Sequence, residues 1–600
     1  MSYLLAFLFI FGAHAKIIQI LHTGDIHSEF KHAFLDPRTG GYARLKTIID
    51  REKKKADEQN IPTILVDVGD FLEGSLFYMV DSGRTSFSLH NSMGYEIVTL
   101  GNHDYIMGLD NLNHLLGEVR SETDFTLLAA NIDFNLNLDD YVEDPKMMLS
   151  AKRPIELLNI NNRLFSNIKK RRKFPHLREM ILSNFVKSID DVNICFIGVT
   201  SNEKYYKWKF LQEGINIDDP VDTVAKEIDL LKNQGIQCHY TIALTHILLE
   251  QDQELAQKHH EIDLIIGGHS FDYHLMEHDI VALDNSRING NRNGPPIIKT
   301  GANASQLGKI LIDIHPQKSG NKIISQEFIP VRDVLKDPEI EILVDEAEKK
   351  LYGLYDDSPE FDEHLGYFSI GPHDNASYIW SSFVAESMRD ITNSDLGIND
   401  AHMINQIDHN LQGWFPLTRF DIWNSYPRFF EFEQKHGWYI HVLEIPGIIL
   451  KKIIKKYLKE RPSMTISGLD FNIMKRNGKT KIKDITAKGR HVKDFKNYSV
   501  AVPEGIVEGM RNHIKYNYDI FTPIGISPLL DKIGYKTDHT VFYAMERLLK
   551  KHREVNACKF YAKSVHKKRK EKSPCDDSNK VYLMNNDNTA FNIRSVFINN

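Results

Sequence analysis

The chain has 600 residues, 42% of them hydrophobic, with 74 Lys and Arg against 81 Asp and Glu and a formal net charge of −7. That length implies more than one domain, and the apolar content suffices for real cores. The near balance of charge gives no case for polyanion binding by the chain as a whole, so nucleic acid is not an expected partner.

At the N-terminus, Leu4 to Phe11 is an apolar run followed by Ala13-His14-Ala15, a small-x-small cleavage pattern ahead of Lys16. Residues 1–15 read as a secretory signal peptide, although the α-amino group is the only positive charge before the run. The run is too short to span a bilayer, and no membrane span or lipid anchor is expected elsewhere. The expected localisation is secreted, periplasmic or extracellular. None of the four cysteines, Cys195, Cys238, Cys558 and Cys575, lies in a CxxC pair, which argues against a zinc or redox motif. Cys195 and Cys238 lie near apolar runs and are expected to pack as small apolar residues, with pairing left open.

From Lys16 to about Arg332, short apolar runs alternate with charged helical patterns, as in a layered α/β domain. Ile17–Leu21 reads as a strand ending in Gly24-Asp25-Ile26-His27, and Tyr42–Asp57 as an amphipathic helix. Thr63–Val68 ends in Gly69-Asp70, and Ile97–Leu100 in Gly101-Asn102-His103-Asp104. Asp133–Leu182, with Asn, Lys and Arg and few clear periods, reads as a surface insertion. Beyond the helix Val221–Lys232, Ile242–Leu244 ends in Thr245-His246, and Ile262–Ile266 in Gly267-Gly268-His269. Ile297–Ser305 and Ile310–Ile314 are expected as closing strands. Unbroken apolar runs suit buried parallel strands, and loops leaving such strand ends are where α/β sheets hold ligands.

Asp337–Tyr352 is an acidic amphipathic helix entered through Asp-Pro, followed by a polar linker. A second α/β region runs from about Gly366 to Tyr561, with helices Ser377–Ile391 and Gly447–Leu458 and a late strand Tyr498–Val502. Lys563–Lys572 is a basic run that reads as a solvated tail rather than a heparin-like contact. The expected plan is a signal peptide at 1–15, a first domain at 16–335, a linker helix at 336–365, a second domain at 366–561 and a tail at 562–600.

Five strand ends that each deliver Asp, His or Asn call for a common ligand. Singly, each residue has an ordinary role: Asp25 or Asp70 as a helix N-cap, Asn102 in a turn, His246 as a bonded loop histidine. Together they suit a pair of divalent ions roughly 3.5–4 Å apart, which lower the pKa of a water and clamp phosphoryl oxygens. A carboxylate can bridge such a pair, and the histidine content favours zinc, manganese or iron over magnesium.

The residues and their order resemble the calcineurin-like metallophosphoesterases over about Lys16 to Asp313. The resemblance implies a β-sandwich flanked by helices, with Asp25 and His27 on a first metal and Asp70 bridging. Asn102, His246 and His269 would ligate the second metal, and His103 would be the catalytic acid or electrostatic stabiliser at the leaving group. With the linker helix and a second α/β domain, the chain resembles the secreted 5′-nucleotidase/UDP-sugar hydrolase group. The C-terminal likeness rests on Glu386-Ser387, on Ser394 to Asn399, on Tyr426-Pro427-Arg428-Phe429 before Phe430, and on Leu443–Gly447 followed by Leu450. In that group this domain binds the base between aromatic rings, which here implies Phe429 and Phe430 as substrate contacts beside Asn102 and His103; Trp438 and Tyr439 are further rings.

Four departures stand out. Asp-Ala-His-Met-Ile follows Asn399, without the glycines or arginine of the family's phosphate loop, and Pro503-Glu504-Gly505-Ile506 replaces a GGDG-like run. Ile106 stands where the family gives His103 an Asp partner, leaving Asp104 or Asp110 for that role. Phe271 stands where a last ligand to the first metal is usual, with Asp272 or His274 as substitutes. The expected function is an exported metal-dependent phosphoesterase that hydrolyses a phosphate monoester or nucleotide-like small molecule through metal-bound hydroxide. The alternatives are a catalytically weakened secreted binding protein on the same fold, or a phosphoesterase for cyclic nucleotides or phosphoproteins.

Overall fold

The computed structural model describes residues 16–133, 174–203, 215–269, 294–315, 320–355, 360–371, 374–405, 407, 411–429, 435–460, 463–476, 479–508, 534–556 and 594–597. The expectations for the leader, most of the 133–182 insertion, Phe271, Asp272, His274, Phe430, Cys558, Cys575 and the basic tail lie outside these residues.

Two sheets stack face to face. In one, Lys16–Thr23, Thr63–Asp67, Ile97–Thr99 and Thr126–Leu128 run parallel as successive neighbours, with Leu21 opposite Leu65 and Thr23 opposite Asp67. Gln306–Ile314 pairs antiparallel along the other side of Lys16–Thr23. In the second sheet, Val192–Val199, Tyr240–Thr245, Leu264–Gly267 and Ile297–Lys299 are parallel neighbours. Ile18, Ile20, Ile64 and Val66 of the first sheet meet Ile194, Phe196, Ile242 and Ile266 of the second in one dry layer. Burying each such side chain contributes roughly 1.5–3 kcal/mol, so the layer fixes both sheets rigidly beneath the loops that leave their strands.

Helices cover the outer faces. Tyr42–Asp57 forms over the expected residues and buries Leu45, Ile48 and Ile49. Pro220–Asn233 and Pro338–Gly353 each start at Pro behind an Asp N-cap, Asp219 and Asp337, whose side chain accepts two backbone N–H bonds.

Two expectations need correction. Cys195 and Cys238 do not pack separately but form a disulfide, with Cα atoms 5.6 Å apart. Register places Cys195 opposite Thr241, so the chain entering that strand passes beside it. The strand expected over Ile297–Ser305 stops at Lys299. Asn303 and Ala304 adopt left-handed φ of 57° and 53°, and the Asn303 N–H bonds the Asp25 carbonyl instead of a neighbouring strand.

In the C-terminal region, five strands order as Met464–Ser467, Leu396–Asp400, Asn497–Pro503, Tyr439–Pro446 and Gly534–Thr540. Leu396, Leu443, Leu450, Ile454 and Val500 form a core there. A larger apolar cluster joins this region to the first, with Phe34 against Trp380 at 5.3 Å and Phe77 against Phe420 at 5.9 Å. The C-terminal region therefore packs directly on the loops that carry the ligand motifs.

Candidate metal centre

All five motif loops converge at one edge of the sandwich. Asp25, His27, Asp70 and His269 have φ of 53°, 57°, 57° and 70°. A non-glycine residue in that region costs on the order of 1–3 kcal/mol and persists where the surroundings over-determine it. The glycines beside them permit a close approach of backbones. Gly69 has φ +98°, and a Cβ on Gly101 would lie 2.1 Å from the Asp70 carboxylate.

Asp104 holds the Asp70 loop in this shape. One carboxylate oxygen accepts the N–H groups of Asp70 and Gly101 at 3.0 and 2.7 Å, the other those of Phe71 and Leu72 at 3.0 and 2.9 Å. A carboxylate with four backbone donors is a loop anchor, not a partner for His103.

Donor atoms fall into two groups, His27 with Asp70 and His103, and Asp70 with His246 and His269, each with its ligand atoms within 4.8 Å of one another. Asp70 belongs to both. The buried Asn102 amide has no hydrogen-bond partner on its oxygen or nitrogen among the described residues. Buried polar atoms left unbonded at a convergence of carboxylate and imidazole fit divalent-ion ligation. Asp25 lies against the second group, 3.8 Å from His246 Nε2, and accepts the His269 N–H at 3.1 and 3.2 Å. Burial raises the Asp25 carboxyl to about 6 despite the opposing pull of His246.

Each histidine is oriented from behind. His246 Nδ1 donates to the Val68 carbonyl at 2.7 Å, and His27 Nδ1 to the Glu73 carbonyl at 2.8 Å. A carbonyl can only accept, so the proton sits on Nδ1 and Nε2 turns toward Asp70, at 3.0 Å for His246 and 4.0 Å for His27. Glu203 engages His269 Nε2. Beneath the second group, the buried Lys299 ammonium donates to the Gly268 carbonyl at 2.6 Å and pairs with Asp252 at 2.7 Å. Asp252 in turn accepts from Thr245 at 2.6 Å, so one ion pair straps both loops.

His103 does have a carboxylate partner. Its Nδ1 bonds Glu73, its backbone N–H bonds Asp70 at 2.7 Å, and its ring meets His27 edge-on at 4.7 Å. Burial disfavours the imidazolium, but Asp70 and Glu73 outweigh it and hold the pKa above the ordinary histidine value. Burial likewise opposes ionisation of Glu73, yet Arg428 and His103 hold its carboxyl below the usual range. Arg428 reaches across from the C-terminal region, its Nη1 3.3 and 3.5 Å from the Glu73 oxygens and its Nε donating to the Met403 carbonyl at 2.9 Å. The partner lost at Ile106 is thus replaced from a different loop, and Asp110 sits exposed at a helix start.

Glu73, Glu203, Lys299 and Arg428 carry no metal motif. Glu203 follows the strand Val192–Val199, so extending the strand-end rule to that run would have exposed it; Glu73 lies three residues past Asp70 and faces His103 only through folding. Phe429, expected as a stacking ring, is buried and meets Phe542 edge-on at 5.8 Å, a packing role. Trp438 is also buried, while Lys536 lies over the Tyr439 ring at 3.7 Å.

Residues 18–273 match the family model for calcineurin-like phosphoesterase. The chain is 27% identical to rat 5′-nucleotidase over 264 residues, 42% of this chain and 38% of that protein. It thus spans well under half the length of that relative. A 5′-nucleotidase precursor from Thermus thermophilus shares the fold at a TM-score of 0.62 and 14% identity, covering 90% of this chain and 97% of that one. A sulfate thiohydrolase, SoxB, from the same organism does so at 0.61 and 14%, covering 90% and 94%. Residues 18–273 thus form a calcineurin-like phosphoesterase domain. In sequence that domain is similar to 5′-nucleotidases over less than half of their length.

Proposed function

We propose that the protein is an exported metal-dependent phosphoric ester hydrolase acting on a phosphate monoester or nucleotide. The observation that carries this reading is the membership of Asp70 in both donor groups, the arrangement a bridging carboxylate requires. In this reading His27 and Asp70 would hold one divalent ion together with Asp25, whose carboxylate lies 3.8 Å from His246 Nε2 on the side of the other, and Asp70, Asn102, His246 and His269 would hold that other ion. Such ions supply an activated water and neutralise the phosphoryl oxygens. The carboxylates of Asp70 and Glu73 favour the protonated form of His103; with Nδ1 held on Glu73, Nε2 would be the atom that donates to the leaving group. Arg428 places a cation at the same edge. Glu73 removes one motive for the alternative of a weakened binding protein, because His103 is not left without an orienting anion.

Nucleotide specificity draws on relatives named 5′-nucleotidase. Export draws on the leader-like residues 1–15 and the Cys195–Cys238 disulfide, which suits an oxidising compartment. The domain plan with a linker at 336–365 draws on the dry layer between the first two sheets and the core of the C-terminal five-stranded sheet, which lie before and after the helix Pro338–Gly353 in the chain. Purified protein supplied with manganese or zinc should hydrolyse p-nitrophenyl phosphate and AMP, and both chelation and Asp70→Ala should abolish this. Activity that survives both treatments would overturn the reading.

A further inference from the structure

Charge is unevenly distributed along this chain. Positions 451–496 hold fifteen Lys and Arg against four Asp and Glu, within a chain whose net charge is −7. Whole-chain balance therefore conceals one strongly basic segment.

The fold gathers part of that segment on one face. The helix Gly447–Glu460 buries Leu450, Ile453 and Ile454 in the C-terminal core, which leaves Ile448, Lys452 and Lys455 along its outer side, spaced by three to four residues. The loop 493–496 is bonded over the start of this helix: Gly447 N–H donates to the Lys496 carbonyl at 2.9 Å and Ile448 N–H to the Asp494 carbonyl at 3.0 Å. Lys451 neutralises Asp494 at 2.8 Å. Lys493 and Lys496 are exposed along the same loop, and Arg490 is exposed on the short strand Arg490–His491 before it. At its apex Phe495 is 95% exposed, with Ile448 42% exposed on the adjoining helical turn. Two exposed apolar side chains thus sit on segments bonded to one another, which also carry the exposed Lys452, Lys455, Lys493 and Lys496.

We propose that this face docks the protein on a bilayer surface bearing anionic headgroups, with Phe495 and Ile448 entering the interface and the surrounding lysines facing lipid phosphates and carboxylates. A basic surface with protruding apolar side chains is the pattern of interfacial binding. Residue choice favours a lipid surface over a structured polyanion. Of the fifteen basic residues, twelve are Lys and three Arg; Lys acts as a point charge in a diffuse field, whereas planar, bidentate recognition of phosphate or base edges selects Arg. This docking is independent of the hydrolytic site and stands whether or not the substrate is a nucleotide.

The test is co-sedimentation of the full chain with vesicles of phosphatidylcholine alone and of phosphatidylcholine with phosphatidylserine. Wild type is expected to pellet with the anionic vesicles only, and to release at high salt as the charges are screened. Each surface cation contributes about fivefold to partitioning, so Lys452→Glu/Lys455→Glu/Lys493→Glu should reduce it at least about a hundredfold, and Phe495→Ser about tenfold. Unchanged melting temperature and secondary structure in both variants, which alter only exposed side chains, establish that they are folded; Lys452→Gln/Lys455→Gln/Lys493→Gln, without added negative charge, should lose binding in the same direction. No binding to anionic vesicles, binding unaffected by these variants, or binding to heparin or single-stranded DNA without vesicle binding would overturn the proposal.

Discussion

Replacing Glu73 with Gln probes how His103 is controlled. The change removes one anion from a buried imidazole and leaves the side-chain volume nearly unaltered. A hydrogen bond between a buried carboxylate and an imidazolium contributes roughly 1.5–3 kcal/mol. If that contribution acts on the transition state through His103, kcat should fall about 10- to 100-fold with little change in KM. Because Glu73 and Asp70 both raise the His103 pKa, the variant's alkaline rate limb, where His103 loses its proton, should move to lower pH. Steady-state assays with p-nitrophenyl phosphate across pH measure both effects. In a His103→Ala background the same substitution should cost almost nothing further, since its route of action is gone. An undiminished kcat in Glu73→Gln, or an equal loss in both backgrounds, would show that Glu73 does not act through His103.

Other substitutions test the supports around the site. Burial raises the Glu29 carboxyl to about 8 against an ordinary value of 4.5, even though Asn424 donates to it at 3.0 Å. The unfolded chain then releases this proton near pH 4.5 while the folded chain retains it to about 8, so stability falls across that window, by on the order of 3 kcal/mol at pH 7; Glu29→Gln should flatten this slope in denaturation curves taken at several pH values, and an unchanged slope would contradict it. Asp104→Asn places an amide donor against two backbone N–H groups and should cost about 3 kcal/mol by chemical denaturation, whereas Asp110→Asn, on an exposed residue, should cost almost nothing. Opening the Cys195–Cys238 link, which spans 43 residues, by a double change to Ala should lower stability by about 2–4 kcal/mol; equal denaturation midpoints under reducing and oxidising conditions would show the bond to be absent.

What the sequence disclosed and what it hid differ by physical range. Helix Tyr42–Asp57 was legible because its apolar residues recur at helical spacing, a property local to the chain. The convergence of the candidate ligand residues was legible for a related reason. Each sits within a few residues of a strand end, and parallel strands bring their ends to one edge whatever lies between them. Partners of those ligands depend on which loops become neighbours. Glu73 meets His103 across 30 residues, Glu203 meets His269 across 66, and Arg428 meets Glu73 across 355, and no periodicity records such pairings. Ile297–Ser305 misled for the same reason: its composition suits a strand, but Asn303 gives its N–H to Asp25. The left-handed backbone at Asp25, His27, Asp70 and His269 was hidden too, because Asp and His carry no strong preference for that region as glycine does.

Metal content per chain decides whether the Asp70 carboxylate serves two ions. Elemental analysis of the wild-type protein after loading with manganese or zinc and removal of excess should give two ions per chain, and Asp70→Ala, which takes a donor from both groups, should lose both. One ion or none in the wild type, or two ions retained by Asp70→Ala, would contradict a two-metal site bridged by that carboxylate.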